Sequence, residues 1–250
     1  LEELVRIPSV SAPGFDPNEV RRSATRITEL LQESGFSGVR LLEIEGAHPA
    51  VYAEIPAPDG APTVLLYAHH DVQPPGPAEE WVSSPFEPIV RDGRILGRGA
   101  ADDKAGVVMH LAAVRAFGGN VPVGVKVFME GEEEIGSANL EAFLATYRDL
   151  LEADVIVIGD AGNWAVGTPA LTTSLRGLVD CVVEVRTLEG AVHSGMFGGA
   201  VPDAIIALAR VIASLHRDDG SIAVRGLVEA PGGGLVLTEA EVREQAGTVE

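Results

Sequence analysis

Three apolar runs in this sequence of 250 residues end in groups that could do chemistry. PTVLLYA at 62–68 leads into His69-His70-Asp71, VPVGVKVFM at 121–129 leads into Glu130-Gly131-Glu132-Glu133-Glu134, and DVIVIG at 154–159 leads into Asp160. A fourth segment, GRGAADDKAG at 97–106, places Asp102 and Asp103 at an expected helix start, where carboxylates suit the positive end of the helix dipole. Carboxylates brought close to one another raise each other's pKa unless something neutralises them. From the protein side only Lys104 and nearby arginines are at hand. A histidine with several carboxylates suits zinc, manganese or cobalt, and two ions sharing a bridging aspartate fit that many oxygens. Adjacent Glu133 and Glu134 allow a division of labour, one a metal ligand and the other a base toward a metal-activated water.

Taken singly, each group has an ordinary structural explanation. His69 reads as a strand-end histidine, Asp102-Asp103 as a helix cap pair, Glu132–Glu134 as a solvated loop and Asp160 as a turn residue. Taken together they follow three apolar strands, and in open α/β sheets ligands sit beyond the carboxyl ends of the strands. That shared placement makes the joint structural explanation the weaker one. GRGAADDKAG has neither the spacing of a dinucleotide fingerprint nor a Walker lysine.

The elements that must position these groups alternate along the first half of the chain. Val20, Ala24, Ile27 and Leu31 form one apolar face of a helix over 18–34, with Asp16 or Asn18 to cap it and Gly35 to stop it. Strands are expected around 38–44 and 50–55, and the apolar runs at 62–68, 121–129 and 154–159 read as strands buried on both faces. Asp92-Gly93 predicts a hairpin between 87–91 and 94–97. Helices are expected over 102–117 and, capped by Ser137, over 138–149. The pattern is that of an α/β domain with a largely parallel sheet. Beyond it, LVDCVVEV at 178–185 alternates like a half-exposed strand, Pro202 opens a helix over 202–215, and Gly232-Gly233-Gly234 is a break. A domain boundary is placed near 168–174, giving domains 1–170 and 171–250.

Composition narrows the partners. Lys and Arg number 18 against 37 Asp and Glu, a net charge of −19, which argues against nucleic acid and anionic membranes because both need basic patches. No stretch of 18 apolar residues is present to span a membrane. One cysteine, Cys181, excludes an intrachain disulfide framework and reads as a small core residue, and a reducing, cytoplasmic setting is the simplest expectation. The chain opens at Leu1 and not at Met, so the true N-terminus is expected to lie outside it, and the opening run LEELVRI does not read as a signal peptide.

The runs AHHDVQP (68–74), GRGAADDKAG (97–106), EGEEEIGS (130–137), IGDA (158–161) and VHSGMFGGAVPDA (192–204) resemble the zinc-dependent aminoacylase/carnosinase/carboxypeptidase G family of metallopeptidases, and DVQP with HSGMFGG points to its dipeptidase and carnosinase branch. The resemblance implies a mixed, largely parallel sheet flanked by helices, of the zinc-exopeptidase type, with a smaller α/β lid that dimerises. It implies two divalent metal ions, with zinc preferred over manganese or cobalt. His69, Asp102, Glu134 and Asp160 would be ligands, Asp102 bridging the two ions across a cis Asp102–Asp103 peptide. Asp71 would orient His69, as metal-bound imidazoles require. Glu133 would be the general base, and His193 would reach the partner subunit's site and steady the oxyanion. Position 70 is often aromatic in this branch, and His70 departs from that. A further histidine ligand that the family carries after the lid is expected beyond Glu250, so the chain reads as an N-terminal fragment. The implied activity is hydrolysis of dipeptides or short peptides by a homodimer. The alternatives are deacylation of an N-acyl amino acid at the same site and a non-catalytic cation-binding module.

Overall fold

Asp16 and Pro17 start the first long helix for separate reasons. Asp16 keeps an extended backbone and its carboxylate accepts from the Asn18 N–H at 2.9 Å, while Pro17 occupies a first-turn position whose N–H needs no helical partner. The computed structural model describes residues 1–172, 175, 177–227 and 237–246. In it a short α1 (Glu2–Val5) precedes this helix, α2 (Pro17–Glu33), and the chain leaves α2 through Gly35 at φ +85°. The expected stripe of Val20, Ala24, Ile27 and Leu31 is fully buried.

The strands follow in chain order as β1 (Ser37–Leu42), β2 (Ala50–Ile55), β3 (Thr63–His69), β4 (Ile89–Arg91), β5 (Arg94–Leu96), β6 (Gly124–Glu130) and β7 (Val155–Ile158). β4 and β5 make the hairpin expected around Asp92-Gly93, with both turn residues at positive φ. The other five form the main sheet, in the order β1-β2-β6-β3-β7. Its β6–β3–β7 half is parallel and its β1–β2–β6 half antiparallel, so the sheet is mixed. Alternate residues serve opposite layers. Val51, Ala53, Val125, Val127 and Met129 join Leu4, Ile27 and Leu31, together with Val107 and Leu111 of α3 (Lys104–Ala116). Tyr52 and Phe128 turn the other way, toward Phe143 of α4 (Leu140–Thr146) and Leu151 of α5 (Arg148–Leu151). Phe128 meets Phe143 edge-on with ring centroids 6.1 Å apart. The two layers hold β3 and β6 in register, and His69 ends opposite Glu130.

Several expectations change. β7 is not buried on both faces: it pairs with β3 at the sheet's edge, and Val155–Ile158 are exposed. α3 starts at Lys104, because the Asp103 carboxylate caps it by accepting from the Gly106 N–H at 3.0 Å. The helix expected over 138–149 divides into α4 and α5, and Ser137 sits at φ +51°, outside helical space. The described residues 178–185 form no strand, and Cys181 is exposed.

The chain divides into two compact units, residues 1–174 and 175–250. The second unit holds α6 (Ser194–Phe197), α7 (Ala204–Ala213) and α8 (Glu239–Ala246). α7 is shorter than the expected 202–215: Asp203 caps it, its carboxylate accepting from the Ile206 N–H at 2.9 Å, so Pro202 lies before the helix and not in its first turn. Gly232-Gly233-Gly234 lies outside the described residues. Among those described, no helix is long and apolar enough to cross a membrane.

Candidate metal centre

His69 is the last residue of β3, and its ring is fully buried between two sets of oxygens. Behind it, Nδ1 lies 3.2 Å from the Asp71 carbonyl oxygen and 3.3 Å from Asp71 Oδ1. In front, Nε2 lies 2.9 Å from Asp102 Oδ1 and 3.9 Å from both Glu133 Oε2 and Asp160 Oδ2. The ladder explains the convergence. The His70 N–H donates to Glu130 O at 2.8 Å and the Gly159 N–H to Tyr67 O at 2.8 Å, so pairing continues past the strand ends and delivers all three clusters to one sheet edge. Asp102 arrives from the turn before α3, through a cis Asp102–Asp103 peptide.

Asp71 ties the clusters together. Its buried Oδ1 accepts from the Glu133 N–H at 3.3 Å, and its Oδ2 from the Glu134 N–H at 3.0 Å and the Ser11 hydroxyl at 2.6 Å. Burial alone would raise this carboxyl, but the His69 and Ser11 hydrogen bonds outweigh it and hold the pKa below its ordinary value. The tight turn Glu133–Ile135 closes on Gly136 at φ +87°, a left-handed position that suits glycine. Glu134 is held again from the side: the Gln73 side-chain amide donates to its Oε2 at 2.7 Å and its main-chain oxygen at 3.1 Å, and the Gln73 N–H to its Oε1 at 3.2 Å.

Two sets of donor atoms lie within 4.8 Å of one another: His69, Asp102 and Glu134 in one, and His69, Asp103 and Asp160 in the other. Asp103 is the most committed of these, since its oxygens already accept from the His69 and Gly106 N–H groups at 3.2 and 3.0 Å. An alanine at 106 would drive its Cβ into that carboxylate, so a glycine is required there. Burial pushes the Asp103 carboxyl up to about 7, and burial also raises Glu133 and Glu134, whose carboxylate neighbours add to the effect. Burial pulls His69 down, but the carboxylates of Asp71, Asp103 and Asp160 win and lift it to about 10. Such a site favours positive charge at Nε2. One imidazole nitrogen among carboxylate oxygens is a donor set that fits a divalent ion of the zinc, manganese or cobalt kind.

Lys104, the nearest cation in sequence, does not answer this need. It is buried and donates its Nζ to the carbonyls of Leu4 and Ile7 at 2.8 and 2.6 Å. His70 is equally uninvolved. Its fully buried ring points away, with Nε2 3.1 Å from Pro49 O, and burial pushes it down to about 4. Any Cβ on Gly131 would sit 2.7 Å from Pro49 O and 3.1 Å from His70 Nε2, which reserves that space for glycine. His193 belongs to the second unit, where its Nδ1 accepts from the Gly195 N–H at 3.1 Å and caps α6.

Ser11 and Gln73 escaped the sequence reading. Gln73 lies inside the DVQP run and was legible as a neighbour of the cluster. Ser11 is 60 residues from Asp71, and nothing in its local pattern marks it.

Residues 65–247 match Peptidase family M20/M25/M40. A cysteinylglycine-S-conjugate dipeptidase of Corynebacterium striatum is 42% identical over 90% of this chain and 51% of its own length. The Beta-Ala-His dipeptidase of Mus musculus is 35% identical over 72% of this chain and 38% of its own. An M20 family metallo-carboxypeptidase from Sulfolobus solfataricus superimposes with a TM-score of 0.78 at 28% identity, covering 100% of this chain and 58% of that one. The chain thus spans about half the length, or less, of the curated relatives it matches. With the family match running from β3 into the second unit, over the His69, Asp102, Glu134 and Asp160 clusters, the chain belongs to peptidase family M20/M25/M40.

Proposed function

We propose that the whole protein is a metal-dependent dipeptidase, hydrolysing dipeptides or short peptides. The observation that carries this reading is the meeting of His69 Nε2 with Asp102, Glu133 and Asp160 at 2.9 to 3.9 Å, in a chain whose relatives are named as dipeptidases. His69, Asp102, Glu134 and Asp160 would hold two divalent ions, zinc first. When bound, such ions polarise the scissile carbonyl and lower the pKa of water.

The chain's own residues do the rest. Glu133 stands outside both donor sets, and its carboxyl pKa is raised by burial and by neighbouring Asp160 and Glu134, which suits a group that must take and return a proton. It accepts a proton from water as the oxygen attacks the carbonyl carbon, and donates it to the amine nitrogen as the C–N bond breaks. Asp71 keeps the His69 ring from turning. His193 donates to the developing oxyanion, presented by the second unit of a partner subunit in a homodimer; a two-fold axis lets each copy serve the other. In this reading the first unit is the N-terminal part of a catalytic domain, the second a lid that dimerises, and the lone cysteine favours a cytoplasmic setting.

Deacylation of N-acyl amino acids needs the same residues and breaks the same kind of bond. The names of the relatives favour peptides. The purified full-length protein, loaded in turn with zinc, manganese or cobalt, is assayed against Cys-Gly, β-Ala-His, other dipeptides and N-acetyl amino acids. Faster release of free amino acids from dipeptides is expected. Turnover of N-acetyl amino acids alone would install the alternative, and no turnover with any metal would reject both.

A further inference from the structure

We propose that Ser11 is a positioning residue of the metal centre, the anchor from outside that fixes the Asp71 carboxylate. The inference rests on the metal-centre reading above and adds a residue to it. The Asp71 carboxylate meets four donors, and three belong to the site's own clusters: the His69 ring at 3.3 Å and the Glu133 and Glu134 main-chain N–H groups at 3.3 and 3.0 Å. The fourth, from Ser11 Oγ at 2.6 Å, comes from another part of the chain, and both partners are buried. The terminal torsion of an aspartate is broad and soft. The Glu133 and Glu134 donors are main-chain groups of one turn, and the Ser11 hydroxyl adds the shortest of the contacts, from outside the metal-binding clusters.

Ser11 is itself held in place by its segment. Val10 bridges Val72 in parallel, the Val72 N–H donates to Ser9 O at 3.0 Å, and the Ser9 hydroxyl donates to His70 O at 2.7 Å. The His48 ring nitrogen meets Ser11 O at 3.2 Å, and Lys104 Nζ holds the carbonyls of Leu4 and Ile7. Residues 4–11 are therefore strapped to both sides of the site by main-chain oxygens and by Ser9. The Ser11 hydroxyl donates to Asp71. Removing it leaves the strap in place and the carboxylate with one anchor fewer.

The test measures metal binding by the full-length protein, not turnover. Zinc affinity is read by competition with a chromogenic chelator, and ligand geometry by the visible spectrum of the cobalt-loaded protein. Ser11→Ala is expected to weaken zinc binding roughly tenfold or more, the range seen when the partner of a metal-bound histidine is disturbed, and to alter the cobalt spectrum. Ser11→Thr, which keeps the hydroxyl, is expected to stay within about threefold of the parent and keeps the test alive if the alanine variant fails to fold. In an Asp71→Ala background Ser11→Ala should have no further effect. Parent-like zinc affinity in a folded Ser11→Ala protein, an undiminished Ser11→Ala effect without Asp71, or a tenfold loss in folded Ser11→Thr would each overturn the proposal while leaving the metal centre standing. A parent protein that binds neither zinc nor cobalt would overturn the metal centre and this inference with it.

Discussion

Asp71 and Asp102 flank the same imidazole and live in opposite surroundings. The Asp71 side chain is 0% exposed and saturated with donors, whereas Asp102, on the other ring nitrogen, is 66% exposed. Glu133 and Asp160, also on the Nε2 side, keep 38% and 35% exposure. Behind the ring, the carboxylate oxygens have their hydrogen bonds and are closed to further partners. Before it, carboxylates crowd together with too few donors. A buried acid holds its neighbours in place, and a half-exposed one remains open to an ion, a water or a substrate. Residue type does not assign these roles; the surroundings do.

That contrast breaks hardest at Glu133. If Glu133 carries the proton as proposed, replacing it by Gln removes that function while keeping the shape, so turnover of the full-length protein should fall by about a thousandfold, within the range general acid–base catalysis contributes. Metal content, measured by atomic absorption, should stay near the parent's, because Glu133 stands outside both donor sets. Glu134→Gln should lower turnover and metal content together. Equal metal loss in the two variants would erase the division between base and ligand.

A smaller loss is expected at His193, whose ring caps α6 in the second unit. As an oxyanion donor it should be worth about a hundredfold in turnover on replacement by Ala, with melting temperature and metal content little changed. The cross-subunit role is checked by combining inactive His193→Ala subunits with inactive Glu133→Gln subunits under exchanging conditions. Partial recovery is expected, since one hybrid site then pairs an intact Glu133 with an intact His193. A mixture that exchanges and stays dead would place His193 outside the partner's reaction.

On the buried side, Asp71→Asn should weaken metal binding roughly 10- to 100-fold. Whichever way the amide turns, its nitrogen would face the Glu133 or the Glu134 N–H, where only an acceptor belongs. Isothermal titration with zinc measures the loss. An unchanged affinity would mean that the buried carboxylate is a structural filler and the contrast with Asp102 empty.

The sequence carried most of the front of the site and little of its back. His69, Glu133, Glu134 and Asp160 lie at or just past the ends of apolar runs, and the rule that ligands sit beyond the carboxyl ends of strands in open α/β sheets put them at one edge. The resemblance supplied the pairing of Asp71 with His69 and the cis peptide found at Asp102–Asp103. The Ser11–Asp71 bond spans 60 residues and the Lys104–Leu4 bond 100, distances at which a lone polar residue has no local signature. The misread elements failed for the same reason. Whether an apolar strand such as β7 is covered depends on what packs on the sheet's faces there, and alternation at 178–185 describes a strand's faces without supplying a partner strand.

The smallest expected effect tests the contrast between neighbours in sequence. His69 and His70 are both fully buried, yet one faces Asp102 and the other faces Pro49 O at 3.1 Å. The same successive-residue alternation that sorts the core sends their rings to opposite sides of β3's end. His70→Phe should therefore leave zinc affinity within about twofold of the parent and the cobalt spectrum unchanged. It removes the donor to the Pro49 carbonyl, a loss worth about 1–3 kcal/mol when the acceptor stays buried, offset in part because the His70 Nδ1 atom, buried without a hydrogen-bond partner, goes as well. A melting temperature lowered by a few degrees with metal binding intact is the expected result. A large loss of zinc on His70→Phe would show that the second ring reaches the ions after all, and that burial at this edge does not separate holding residues from binding ones.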